Sequence, residues 1–154
     1  MDGVVPEEIR TLADALPFWS RENPSHTALM ELNGDDELDR ITFHELAEQV
    51  DAFAAHLRRR GVGPGRTVAL LMPNSARWIV AYWSVFRLGA VAAPLEYAVL
   101  DTEPERIEFA LANCDAHVVV CEPEDARRVA ELTSAGIVSA TRLSLIHISE
   151  PTRP

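Results

Sequence analysis

Arg66-Thr67-Val68-Ala69-Leu70-Leu71-Met72-Pro73-Asn74-Ser75-Ala76-Arg77-Trp78-Ile79-Val80-Ala81-Tyr82-Trp83-Ser84-Val85-Phe86-Arg87-Leu88-Gly89-Ala90-Val91-Ala92-Ala93-Pro94-Leu95-Glu96-Tyr97 is the stretch that decides the fold. Thr67 to Met72 is a nearly unbroken apolar run, the pattern of a strand covered on both faces. Pro73-Asn74-Ser75 turns the chain, and Asn74 or Ser75 offers a side-chain oxygen to cap the next helix. Ala76 to Leu88 reads as that helix, apolar on most sides through Trp78, Ile79, Tyr82, Trp83, Val85, Phe86 and Leu88. Gly89 stops it, and Ala90 to Pro94 reads as the next buried strand. Strand, helix and strand with short connections make one βαβ unit, and therefore a parallel sheet.

Upstream, Thr42 to Arg60 is predicted as a helix. Thr42 and Glu45 fit a capping box, and Leu46, Val50, Phe53 and Leu57 form one apolar stripe. Arg58-Arg59-Arg60 lies at the negative end of the helix dipole, and Gly61 follows as a stop. Thr11 to Arg21 is a shorter predicted helix that Pro17 is expected to kink or shorten. Between the two, Thr27 to Leu32 and Arg40 to Thr42 are expected to pair as a hairpin across the turn residues Asn33-Gly34-Asp35-Asp36.

Downstream, Thr102-Glu103-Pro104-Glu105 fits a second capping box, opening a helix to about Ala112. His117 to Cys121 is a third buried strand. Glu124 to Leu132 is a helix closed by Ser134-Ala135-Gly136. Three β-α steps in succession imply parallel strands joined by right-handed crossovers. The fold class expected is α/β, three layers, a mainly parallel sheet flanked by helices. The wide apolar girdle of residues 76–88 asks for more covering protein than a sheet of three or four strands supplies.

Composition narrows the function. An apolar fraction of 47% supports a core, and no apolar run reaches the length of a membrane span. The N-terminus is acidic and lacks the apolar centre of a signal peptide, so a cytoplasmic protein is expected. A net charge of −10 argues against nucleic acid as a partner. All 14 basic residues are arginine, which excludes any mechanism that needs a lysine within this chain. Cys114 and Cys121 are too few for a disulfide framework or a cysteine-rich zinc site, and read as reduced, partly buried thiols.

No motif carries chemistry by itself. Gly61-Val62-Gly63-Pro64-Gly65 lies between a helix and a strand, the wrong order for a phosphate loop, and reads as a tight turn. Pro73-Asn74-Ser75-Ala76 lies in the right order, where a switch-point ligand would sit, but has no accompanying glycine fingerprint. Trp78, Tyr82 and Trp83 suit either core packing or an apolar ligand slot, and packing is the simpler reading. His26, His44, His56, His117 and His147 have no metal-ligand spacing. Glu122, Glu124 and Asp125 read as a surface turn leading into a helix.

Two phrases carry a family resemblance. Ile41-Thr42-Phe43-His44-Glu45-Leu46 resembles the first core motif of the adenylate-forming superfamily of acyl-CoA synthetases, luciferases and peptide-synthetase adenylation domains. Phe86-Arg87-Leu88-Gly89-Ala90-Val91-Ala92-Ala93-Pro94-Leu95 resembles the second, and residues 61–75 and 117–121 are similar to what lies between and after them. The resemblance covers about Thr11 to Gly136. It implies a reaction in which a carboxylate attacks the α-phosphate of Mg-ATP and a thiol, usually coenzyme A, then displaces AMP. It also implies a Ser/Thr/Gly-rich phosphate loop ending in Pro-Lys-Gly, an aromatic-Thr-Glu motif, a ribose-binding Asp and a lysine in a mobile C-terminal domain. None of these is in the chain, so no catalytic, cofactor-binding or metal residue is carried over. Thr42, Gly89 and Pro94 belong to scaffold motifs. Glu96-Tyr97 departs from the family's usual Asn or Asp followed by Pro.

Leu143-Ser144-Leu145-Ile146-His147-Ile148-Ser149-Glu150-Pro151-Thr152-Arg153-Pro154 breaks the pattern and resembles a translated sequencing adapter. The expectation is therefore an incomplete N-terminal part of a larger adenylation domain over 1–142 and a non-native tail over 143–154. On that reading the parent uses ATP, Mg and coenzyme A on a carboxylic acid, while the fragment binds no cofactor and is inactive. Two other readings stand beside it: a self-contained small α/β binding module, and part of a peptide-synthetase adenylation domain.

Overall fold

The computed structural model describes residues 5–33 and 36–140. Gly34 and Asp35 of the expected turn, and the segment from residue 141 onward, lie outside the described residues. The elements are α1 (Leu12–Glu22), β1 (Thr27–Asn33), β2 (Asp36–Thr42), α2 (Phe43–Arg59), β3 (Thr67–Leu71), α3 (Ala76–Arg87), β4 (Val91–Pro94), α4 (Pro104–Asn113), β5 (Ala116–Cys121), α5 (Ala126–Leu132) and β6 (Gly136–Ser139). Short 3-10 turns at Tyr97–Val99 and Pro123–Asp125 precede α4 and α5.

β1 and β2 form an antiparallel hairpin. The other four strands make a parallel sheet in the order β4-β3-β5-β6. The chain builds outward from β3 to β4, then returns past β3 to add β5 and β6. With a constant crossover hand, such a reversal puts the helices on opposite faces. Two apolar clusters show that it does. Val68, Leu70, Val118, Val120 and Val138 face α1, α2, α3 and the hairpin. Ala69, Leu71, Val119 and Cys121 face α4, α5 and the turn before α4.

The expected βαβ unit is present, as are the helix at 43–59 and its cap. The Glu45 carboxylate accepts from the Thr42 N–H at 2.8 Å, and Glu45 N–H donates to the Thr42 hydroxyl at 3.3 Å. Ser75, not Asn74, caps α3, its hydroxyl oxygen accepting from Trp78 N–H at 3.2 Å.

Five expectations are corrected. α1 is not shortened at Pro17 but continues through it to Glu22. The ring costs one intrahelical bond, while buried Leu16 and the Trp19 ring, 6.3 Å from Phe43, pin the helix on both sides of it. α4 starts at Pro104 with Glu103 as its N-cap and no side-chain cap bond. Proline at the first helical position fixes the start, and Thr102 N–H is already spent on Val99. The segment 124–132 is a 3-10 turn followed by a helix of seven residues. β4 is an edge strand, not a buried one: among the described residues it pairs with β3 alone, and Val91 is 52% exposed. Proline at its end is tolerated for that reason. Finally, Gly136 does not simply close α5 but opens β6, paired with β5 from Val118↔Gly136 onward.

Candidate functional site

In an open parallel sheet, the crevice for a ligand lies outside the carboxyl ends of neighbouring strands whose connections leave to opposite faces. Here those strands are β3 and β5. Met72-Pro73-Asn74-Ser75 leaves β3 toward α3, and Glu122-Pro123-Glu124-Asp125 leaves β5 toward α5. Tyr97, just after β4, adds the third connection at this edge.

Glu122 departs from its sequence expectation: in place of a surface position on the turn it is only 3% exposed. Glu122 is the first residue after β5, directly following buried Cys121 and leading into the 3-10 turn at Pro123–Asp125. Arg77 of α3 answers it, with Nη2 3.1 Å from Glu122 Oε2. The contact is an ion pair without hydrogen-bond alignment, so Oε2 has no hydrogen-bond partner. Burial raises the pKa of Glu122, Arg77 opposes that shift, and Glu124 and Asp125 add to it.

Tyr97 donates its hydroxyl to Asp125 Oδ2 at 2.9 Å. That bond, followed by burial, pushes the phenol up to about 12. Arg128 of α5 donates to Asp101 and to the Leu100 carbonyl. The connections after β4 and β5 are thus tied together on one side, and those after β3 and β5 on the other. Glu31 of β1 reaches the start of α3, where its Oε2 accepts from Ala76 N–H at 3.3 Å. A carboxylate from the same chain therefore occupies the positive end of that helix.

Burial pushes the Cys121 thiol up to about 12 and also raises Cys114, which favours the protonated thiols at neutral pH. Both are free cysteines. Among the described residues no three His, Cys, Asp or Glu side chains are grouped to hold a metal ion. Gly61 to Gly65 forms the turn expected of it between α2 and β3, with Gly61 and Gly65 at φ 81° and 76°. Trp78, Tyr82 and Trp83 are half-buried and packed against the larger cluster, Trp78 stacking on Tyr82 at 4.8 Å. Trp83 also lines a 290 Å³ cavity between α1, α2 and α3, and Trp78 a 450 Å³ hollow beside β1.

This edge does not fit a nucleoside triphosphate by itself. Glu122, Glu124, Asp125 and Asp101 outnumber Arg77 and Arg128, and both arginines are committed to those acids. What the arrangement does is brace three connections against one another.

A sheet of this order with these flanking helices is the scaffold of the adenylate-forming enzymes. The family model described as AMP-binding enzyme matches residues 16–151, so the chain belongs to that family. Tyrocidine synthase 2 of Brevibacillus parabrevis is 37% identical over 111 residues, covering 72% of this chain and 3% of that protein. Feruloyl-CoA synthase of an Amycolatopsis species is 35% identical over 98 residues, covering 64% of this chain and 19% of that protein. Among solved structures, the fatty acyl-adenylate ligase of L. pneumophila superposes with a TM-score of 0.78 at 19% identity, over 92% of this chain and 25% of that one. VinN superposes with a TM-score of 0.74 at 24% identity, over 85% and 33%. The chain therefore spans a third or less of each of these proteins. Its relatives are AMP-forming ligases, CoA ligases and peptide-synthetase adenylation domains among them. No helix among the described residues is long and apolar enough to cross a membrane.

Proposed function

We propose that this chain is the N-terminal scaffold of a larger AMP-forming carboxylic acid–CoA ligase and has no ligase activity of its own. The observation that supports this is the family match over residues 16–151 in a chain without a single lysine. Charge that develops on the phosphates during adenylation needs cationic groups or a metal aimed at it. The arginines at the carboxyl edge are spent on acids, so those groups belong to the rest of the parent. On this reading the parent takes ATP and Mg, a carboxylic acid and coenzyme A, works in the cytoplasm, and has no nucleic-acid partner. The chain holds no catalytic, cofactor or metal residue. Residues 1–142 supply the scaffold, and 143–154 are not native to it.

ATP–pyrophosphate exchange with the purified chain tests the reading. Background exchange is expected, and turnover above it overturns the proposal. Reading the gene past the codon for Arg142 tests the rest: the frame is expected to continue into a Ser/Thr/Gly-rich loop ending in Lys-Gly. The 37% identity to tyrocidine synthase 2 favours a second reading, a peptide-synthetase adenylation domain. A carrier domain encoded downstream of the ligase core decides for it.

A further inference from the structure

The opposite, amino-terminal edge of the sheet has another character. In a chain of net charge −10, four arginines fall within nine residues there: Arg58, Arg59 and Arg60 at the end of α2, and Arg66 at the start of β3. All four are exposed. Among the described residues none of them forms an ion pair or a side-chain hydrogen bond, whereas Arg77, Arg87, Arg106, Arg127 and Arg128 each meet a carboxylate. The α2 dipole suits cations at this end, but it does not require four of them to be left without acids. Arg66 lines a 330 Å³ cleft together with Thr67, His117 and Ser134. His117 donates from Nε2 to the Arg60 carbonyl at 3.2 Å, which ties the arginine run to the cleft wall. One acid, Asp115, shares the lining.

We propose that this cleft is an anion site for the phosphate groups of a small polyphosphate-bearing ligand, separate from the carboxyl edge. Guanidinium groups bind phosphate through paired N–H donors, and the hydroxyls of Thr67 and Ser134 add neutral donors that suit a tetrahedral oxyanion. The glycine turn at 61–65 does not cradle the phosphate with its backbone. It places Arg60 and Arg66 at the two ends of one short turn. Asp115 discriminates against simple accumulation of anions, because a ligand must satisfy two or more guanidinium groups to outweigh it. The site does not rest on the ligase reading, since it uses none of the residues at the opposite edge.

The test is calorimetric titration of inorganic tripolyphosphate into the full 154-residue chain at constant ionic strength. Saturable binding at one site is expected. Arg60→Gln and Arg66→Gln should each weaken it about tenfold, by loss of a charge-assisted contact. Arg127→Gln, an exposed arginine of α5, should leave it within about twofold. Melting curves of the variants confirm that each is folded. Absence of saturation, equal weakening by Arg127→Gln, or tighter binding of a hexa-aspartate peptide than of tripolyphosphate each overturns the proposal. Pyrophosphate exchange has no bearing on the outcome: a chain that binds tripolyphosphate through Arg60 and Arg66 supports the site whether or not it turns over ATP.

Discussion

Arg77 and Glu122 meet at 3.1 Å across the carboxyl edge of the sheet, one from the helix after β3 and the other from the turn after β5. Glu122 is buried and Arg77 is partly open to solvent, so the two do not depend on the pair equally. Removing the arginine leaves a buried carboxylate with no counter-charge. Removing the carboxylate leaves an arginine that water can serve. Arg77→Ala is therefore expected to cost about 1–3 kcal/mol and Glu122→Gln less, measured by urea unfolding. Equal losses would refute the asymmetry.

The same pair sets a pH dependence. Burial raises the pKa of Glu122 above its ordinary value of 4.5. A raised carboxyl binds its proton more tightly in the folded state, so its contribution to stability is fully present below 4.5 and is lost as pH rises through the folded value. Relative to Glu122→Gln, the unsubstituted chain should lose melting temperature as pH rises from 4.5 toward neutrality. A difference between the two that stays flat over this range, or that grows in the unsubstituted chain's favour, rules the burial effect out.

Tyr97 should titrate late. With its phenol pushed up to about 12 and an ordinary value of 10.0, it stabilises the fold below pH 10.0 and ceases to do so as pH rises through about 12. Ultraviolet titration should resolve Tyr97 well above an ordinary tyrosine. Tyr97→Phe should remove that late step and cost about 0.5–1.5 kcal/mol through the lost bond to Asp125.

At the cap of α2, Thr42→Ala should lower stability by about 1 kcal/mol, and Thr42→Ser should restore most of it. The serine rescue separates capping from packing, because serine keeps the oxygen that Glu45 N–H reaches and loses only the methyl group.

In the sheet, Leu70 is fully buried on β3. Leu70→Ala should cost about 2–5 kcal/mol by thermal or urea unfolding. A loss below about 1 kcal/mol would mean that the larger cluster collapses into the space.

Much of this was legible in the sequence. Residues 67–72 and 117–121 read as strands because a sheet covered on both faces needs continuous apolar runs. Thr42 and Glu45 marked a helix start because the capping box is a local contact between residues three apart. The burial of Glu122 was not legible, because its partner Arg77 lies far upstream and only the sheet order brings them together. Nor was the exposure of Val91, since alanine and valine at an edge read the same as at a centre. Gly136-Ile137-Val138-Ser139 is too short, and too close to a glycine stop, to announce β6. The spacing of the arginine run marks a helix terminus, and nothing in it shows that His117 reaches the Arg60 carbonyl or that Arg66 shares a cleft with Ser134.

β3 belongs to both halves of the interior. Val68 and Leu70 are buried in one cluster and Ala69 and Leu71 in the other. A strand shared in this way couples the two halves like a common wall. Neither can loosen without disturbing the ladder that holds the other, because successive residues of the same backbone anchor both. Heat should therefore find one melting unit rather than two, and exchange of the β3 amides with solvent should track the unfolding of the whole domain.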